Sequence, residues 1–225
     1  MNGKPLRVLN LYAGVGGNRK LWSGVDVTAV ELDERIAAIY QCLYPDDTVI
    51  VGDAHQFLLD HSDEFDFIWS STPCQTHSRM AKATRHKHLR RYPDMSLYQE
   101  IVYLTHFFKG KWVVENVVPY YVPLIPGKRL GRHMYWANFD VGDYQESIPK
   151  DFINLANLSG KRKLMDWLGI HYAENIYYGG NHCPAQILRN CVHPNEGLSI
   201  LSRAFPPVQL EDFGDLPLFQ GARYG

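Results

Sequence analysis

The chain has 225 residues, 45% of them apolar, with 21% charged and a formal net charge of −1. That length fits one large domain with a small appendage, and the apolar content is enough to bury a core. No apolar run approaches the ~18 residues of a membrane span; the N-terminal "MNGKPLRVLN" lacks the long apolar stretch of a signal peptide, so a cytoplasmic protein is expected.

"LRVLNLY" (6–12) reads as a buried strand running into the glycine-rich "AGVGGN", where a helix N-terminus is expected to face a ligand. "VDVTAVEL" (25–32) reads as a second strand, and "DERIAAIYQCLY" after it has helical spacing. "DTVIVGD" (47–53) and "FDFIWSS" (65–71) supply two more strands, "SLYQEIVYLTHFF" (96–108) a helix and "KWVVENV" (111–117) a fifth strand. Strands alternating with helices predict an α/β fold with a doubly wound, mostly parallel sheet, Rossmann-like, whose ligands sit at the carboxyl ends of the strands. The three prolines of 118–132 predict a loop, "RHMYWANFDVGDY" (132–144) a strand, "KLMDWLGI" (163–170) a short helix and residues 195–204 a final helix.

Polar or glycine-rich residues close each of the first five strands: "GVGG", Glu31-Leu32-Asp33, Asp53, "PCQ" and Glu115-Asn116. Turn chemistry explains one or two of these; convergence on one sheet edge explains all five. The G-x-G-G spacing departs from the dinucleotide fingerprint, so no pyrophosphate is indicated. Glu31 is placed to accept ribose hydroxyls and Asp53 an adenine amino group, which together suggest S-adenosylmethionine.

Cys74 follows a strand and a proline and precedes a basic run: Arg79, Lys82, Arg85, Lys87, Arg90 and Arg91. Nearby positive charge favours thiolate. Two further basic clusters are Lys128, Arg129 and Arg132, and "KRK" at 161–163. The four cysteines are widely spaced without a CxxC, so neither a disulfide framework nor a metal site at His182, Cys183, Cys191 and His193 is expected. A thiolate, an acid at Glu115 and a sulfonium methyl donor specify methylation of cytosine C5: addition to C6, with proton donation at N3, makes C5 nucleophilic.

The ordered set "NLYAGVGGN", "AVELDE", "VGDAHQF", "STPCQTHSR" and "VVENV", with the late "LRNCVHPNEGLSIL", resembles the DNA (cytosine-5) methyltransferases in their compact phage and prophage-type form. The resemblance implies the S-adenosylmethionine-dependent methyltransferase fold, Cys74 as nucleophile and Glu115 as partner of N3. It implies a cofactor pocket of Tyr12, Ala13, Gly14, Gly16, Gly17, Glu31, Leu32, Asp53, Ala54, Pro73, Asn190 and Val192. The target base in double-stranded DNA would be flipped out. Gln75, Ser78, Arg79, Lys82, Arg85, Lys87, Arg90 and Arg91 would form a closing clamp on phosphates. Of the family's Q-x-R-x-R pattern only Arg132 is clearly retained, as a residue touching base and phosphate. The expected division is a catalytic and cofactor-binding domain (1–144), a very small target-recognition segment (145–178) and a C-terminal return (179–225). So small a segment suits a very short site or a partner protein supplying specificity. An RNA cytosine methyltransferase and a non-catalytic accessory protein are the alternatives. Restriction-modification, phage protection and regulation are the biological settings considered.

Overall fold

The computed structural model describes residues 4–79, 92–145, 147–177 and 183–206. Its strands are β1 (Leu6–Leu11), β2 (Val25–Glu31), β3 (Thr48–Val51), β4 (Phe67–Ser71), β5 (Lys111–Val117), β6 (Lys128–Leu130) and β7 (His133–Ala137). They form one sheet in the order β3-β2-β1-β4-β5-β7-β6. The first five are mutually parallel, β7 is antiparallel to β5, and β6 is antiparallel to β7. The helices are α1 (Glu34–Leu43), α2 (Ala54–His61), α3 (Ser96–His106), α4 (Leu158–Leu168), α5 (Gln186–Asn190) and α6 (Pro194–Ala204). This is an α/β methyltransferase fold.

Alternating residues of the central strands serve opposite faces, as the pleat requires. Leu9, Ile68 and Val114 pack against Leu58 of α2 and Leu97, Ile101 and Leu104 of α3. Val8, Phe67, Trp69 and Val113 pack the other way, against Trp22 and the α6 residues Ile200, Leu201 and Ala204. Burial on both faces explains why these strands read as unbroken apolar runs.

The helix expected after the glycine loop is absent. Residues 12–21 instead run through turns, closed by Gly16 N→Ala13 O, Arg19 N→Gly16 O and Trp22 N→Arg19 O. Gly14 and Gly16 take φ of +55° and +70°, outside the helical region. The space against the sheet is filled by α6. Gly197 lets that helix approach closely: a Cβ there would lie 2.3 Å from the Asn18 carbonyl oxygen. Trp22 Nε1 donates to the Gly197 carbonyl at 3.1 Å.

Other departures are local. α2 was not apparent from periodicity, yet Asp53 caps it by accepting from His55 N and Gln56 N. The loop expected at 118–132 contains β6, folded onto β7 through Gly131 at φ +51°. The strand expected over 132–144 spans only His133–Ala137. α4 starts earlier than its apolar pattern suggests, at an Asn157 cap accepting from Gly160 N. α5 lies in a stretch between the two last expected helices for which no element was expected. The segment from 145 onward does not build a core of its own. Leu155, Leu164, Leu168, Ile170 and Ile176 share a buried cluster with Val15 and with Ile36 and Ile39 of α1.

Candidate active site

Because β1 to β5 run parallel, their carboxyl ends share one edge, and the chain reverses its winding between β1 and β4. That crevice is where an open α/β sheet takes its ligand. The five strand ends singled out in the sequence meet there.

On the β1–β3 side the carboxylates are set by backbone donors. Glu31 accepts from Gly14 N at 2.9 Å through Oε2 and from Asp33 N at 3.1 Å through Oε1. Leu32 beyond it is 73% exposed, an apolar face beside the acid. Asp53, expected to meet an adenine amino group, accepts from His55 N and Gln56 N through Oδ1 alone. Its capping role therefore leaves Oδ2 for a ligand, while Ala54 is buried behind it. Gly14 borders open space, where a Cβ would meet nothing within 4 Å. The Gly14 N–H ties the glycine turn to Glu31 at the carboxyl end of β2.

Gly16 and Gly17 answer to packing. A Cβ on Gly16 would strike the Tyr40 and Tyr44 rings, and one on Gly17 would lie 2.5 Å from the Val192 carbonyl oxygen. Their missing side chains let the loop lie against α1 and against the segment leading to α6. Val192 is buried in the core below, and Ala13 is buried with its N–H donated to Val30 O. Asn190 is exposed at the end of α5 and accepts from Gln186 Nε2. Tyr12, at φ +55°, turns its hydroxyl inward to donate to Glu100 Oε1 at 2.6 Å. Glu100 is wholly buried and also meets Ser70 Oγ at 2.5 Å and His55 Nδ1 at 3.1 Å. This carboxylate ties β1, β4 and α2 together from α3.

Cys74 lies three positions beyond the Ser71–Glu115 register pair of β4 and β5. Asn116 Nδ2 donates to Thr72 O at 3.0 Å and Thr72 Oγ1 at 2.8 Å, clamping the exit of β4. The Cys74 carbonyl accepts from His77 N and Ser78 N, so Cys74 opens a turn. His77, buried, fixes that turn to the chain after β5 through Nδ1 to Tyr121 Oη at 2.6 Å.

The sequence suggested that cationic neighbours would favour a thiolate; the structure corrects this. Burial and the Glu115 charge push the Cys74 thiol up to about 11, with Arg132 opposing. Glu115 is itself raised, chiefly by burial, against the charge of His133 and a hydrogen bond from Ser71. Its neutral acid form is the form that can give a proton. That form also opposes a nearby thiolate least.

Arg132 is committed elsewhere. Its Nη1 and Nη2 donate to the Arg189 and Cys191 carbonyls at 3.0 Å each, and its guanidinium lies 4.4 Å over the Phe152 ring. It pins α5 to the sheet and touches the site through its charge. Pro73, Gln75 and Arg79 are exposed, and Ser78 is half-buried. Lys82, Arg85, Lys87, Arg90 and Arg91 lie outside the described residues. The other basic clusters are partly consumed: Lys128 pairs with Asp140 and Asp143, and Lys161 donates to the Ala173 and Glu174 carbonyls. Among the described residues no cluster of His, Cys, Asp or Glu has a metal-holding arrangement, and no helix is long and apolar enough to cross a membrane. His182, of the metal group considered from sequence, is outside the described residues.

The family model for C-5 cytosine-specific DNA methylases matches residues 6–119, just over half of the chain. The chain belongs to that family. Its cofactor is S-adenosylmethionine. Solved structures similar to this methylase include the Entamoeba histolytica methyltransferase EhMeth, at 11% identity over 90% of this chain and 98% of that one, TM-score 0.49. Spodoptera frugiperda DNMT2 matches at 24% identity over 50% of this chain and 35% of that one, TM-score 0.35. An S-adenosylmethionine-dependent methyltransferase from Agrobacterium tumefaciens matches at 18% identity over 52% and 40%, TM-score 0.36. The methylase thus spans well under half the length of the last two. No curated protein matches it.

Asn116 was singled out in the sequence as a strand-end residue, and the structure adds its clamp on Thr72. Glu100, His133, Glu196 and His77 belong to the site's framework and escaped the sequence reading. They sit on helices, a turn and a strand whose local pattern shows only an interrupted apolar face.

Proposed function

We propose that this methylase transfers a methyl group to C5 of cytosine in double-stranded DNA, with Cys74 as nucleophile and Glu115 as the acid at N3. The observation carrying this reading is that the parallel register sets a buried, protonation-prone Glu115 on the strand beside the one that presents Cys74. S-adenosylmethionine supplies the electrophilic methyl group. Cys74 Sγ bonds to C6 of the flipped base, the C5–C6 π electrons move to the C4–C5 bond, and the C4–N3 π electrons move to N3, which takes the proton of Glu115. C5 is then nucleophilic. After methylation the C5 proton passes to water, its bonding pair re-forms the C5–C6 double bond and expels the Cys74 sulfur, and N3 returns its proton to Glu115. Burial of the Cys74 thiol fits a proton given up to water as the C6–S bond forms and regained when the sulfur leaves.

Tyr12, Ala13, Gly14, Glu31, Leu32, Asp53, Ala54 and Pro73 would hold the adenosyl moiety, with Gly16, Gly17, Asn190 and Val192 shaping the loop beneath it. Gln75, Ser78 and Arg79 begin the phosphate clamp, continued by Lys82, Arg85, Lys87, Arg90 and Arg91. Residues 145–178 form the target-recognition segment, docked on the catalytic part through the shared cluster with α1. A segment so dependent on its host reads a very short site or works with a partner protein.

The test offers labelled S-adenosylmethionine to unmethylated DNA and to total tRNA, followed by base analysis. Label in 5-methylcytosine of DNA, lost in Cys74→Ser, is expected. Label confined to RNA moves the substrate assignment to RNA. Undiminished transfer by Cys74→Ser removes the mechanism.

A further inference from the structure

Three ionisable side chains from three separate elements form a buried row at the catalytic acid. Glu115 on β5, His133 on β7 and Glu196 on α6 are 5%, 3% and 4% exposed. His133 Nε2 lies 3.8 Å from Glu115 Oε1, and its Nδ1 lies 3.5 Å from Glu196 Oε2. Tyr135 Oη faces the same Nδ1 at 3.5 Å. Glu196 Oε1 is buried with no hydrogen-bond partner. Glu196 lies in the first turn of α6 on the helix's buried side, so it serves no surface purpose.

Two buried carboxylates sharing one imidazole are costly unless their charges balance. One positive charge on His133 balances one carboxylate. With Glu196 ionised and Glu115 protonated the row is neutral. When Glu115 gives up its proton, the same imidazolium lies at ion-pair distance from the new carboxylate. The influences on Glu115 have the matching signs: His133 favours its charged form and Glu196 opposes it. Arg132 also favours the charged form, but its guanidinium is fixed on the Arg189 and Cys191 carbonyls. Tyr135 stays a neutral phenol, its ionisation suppressed by burial and by both carboxylates.

We propose that His133, held by Glu196, is the positioning residue that carries the counter-charge for Glu115: it steadies the Glu115 carboxylate formed when ring N3 takes the proton, and keeps it placed to receive that proton back. The C-terminal helix α6, besides covering the sheet, thereby contributes a charge to the catalytic centre. The inference rests on the reading of Glu115 as the acid at N3.

The test uses the full chain with saturating DNA and S-adenosylmethionine. kcat, KM and the pH profile are measured for His133→Gln, Glu196→Gln, Glu196→Asp and Tyr135→Phe, with thermal melts and cofactor affinity as controls. His133→Gln is expected to lower kcat roughly ten- to a hundredfold, a part of the 10²–10⁴ that general acid catalysis supplies, with KM nearly unchanged. Loss of the cation disfavours the Glu115 carboxylate, so the alkaline limb set by Glu115 moves to higher pH. Glu196→Gln leaves the imidazole without the carboxylate that holds its proton. Its activity should stay closer to wild type at low pH and fall toward that of His133→Gln as pH rises. Glu196→Asp restores the wild-type profile, and Tyr135→Phe, which removes no charge, leaves it in place. A folded His133→Gln whose alkaline limb has not moved, whatever its kcat, overturns the proposal by leaving His133 a packing residue. Where His133→Gln does not fold, Glu196→Gln decides, and a wild-type pH profile in it overturns the proposal. Glu115→Gln separates the two readings. Wild-type transfer in it removes the N3 assignment and this inference with it. Loss of transfer in it, with the other variants unaffected, removes the counter-charge alone.

Discussion

The two halves of the crevice treat their carboxylates in opposite ways. On the β1–β3 side, Glu31 and Asp53 are anchored by backbone N–H groups, most of them within three residues in the chain. On the β4–β5 side, Glu115 is buried and faces ionisable side chains from β7 and α6. Neutral backbone donors fix an acid in place without asking it to change charge. A buried acid among titratable partners is instead made to trade protons. In the proposed function the first half recognises a ligand by shape and the second alters protonation during the reaction. Glu100 bridges them, a buried carboxylate that holds Tyr12, Ser70 and His55 by hydrogen bonds from three elements.

The sharpest way to break this comparison is a pair of variants. Glu115→Gln should lower kcat by about 10²–10⁴ with cofactor affinity intact, measured by calorimetry. Glu31→Gln should weaken cofactor binding by roughly tenfold, about the 1.4 kcal/mol of a charge-assisted hydrogen bond, with kcat at saturation near wild type. If both variants affect the same parameter, the division of labour is wrong.

The thiol offers a pH test. With Cys74 pushed up to about 11, its alkylation by iodoacetamide should still climb about tenfold per pH unit between pH 8 and 10. A plateau below pH 8 would contradict the burial argument. Asn116→Ala removes the clamp on Thr72 and leaves a buried carbonyl unpaired. A stability loss of about 1–3 kcal/mol is expected, lowering Tm by about 2–4 °C for each kcal/mol, together with a lower kcat as the Cys74 turn loosens.

Two smaller effects test the other half. His55 has its pKa raised, first by its hydrogen bond to Glu100, with partial burial opposing. A raised folded-state pKa gives stability that is full below the unfolded value near 6.5 and is lost as pH rises through the folded value. Denaturation midpoints across pH 5–9 should show this decline, and Glu100→Gln should flatten it. Asp33 accepts from Arg35 N and pairs with the Arg35 guanidinium at the start of α1, which lowers its pKa, the side-chain hydrogen bond first. Its contribution is present above the unfolded carboxylate value and lost as pH falls through the lowered one. Asp33→Ala should cost about 0.5–2 kcal/mol near neutral pH, read from denaturant titrations.

The order of these effects follows what could be read before the structure. Strands β1, β2, β4 and β5, with α1, α3 and α6, were visible because burial in the sheet interior writes apolar runs and one-sided packing writes a helical period; the edge strand β3, with no buried residue, was legible from its β-branched run alone. Cys74, Glu115, Glu31 and Asp53 were visible because each stands where such a run stops. The missing helix after β1 was not, since Gly16-Gly17-Asn18 gives no sign that α6 will occupy its space from some 175 residues away. The protonation of Cys74 was misjudged because sequence neighbours suggested positive charge, while burial and Glu115 act through space.

By itself, the sequence determined the parallel sheet, the edge on which its ligands gather and the residue types that face them, because these depend on local pattern and on the fixed geometry of strand ends. Only the tertiary structure decided which acid is buried, that Arg132 is spent on the α5 carbonyls, and that His133 and Glu196 stand at Glu115. Those outcomes depend on desolvation and on charges brought within 4 Å by β7 and α6, and neither quantity is written in the order of residues along the chain.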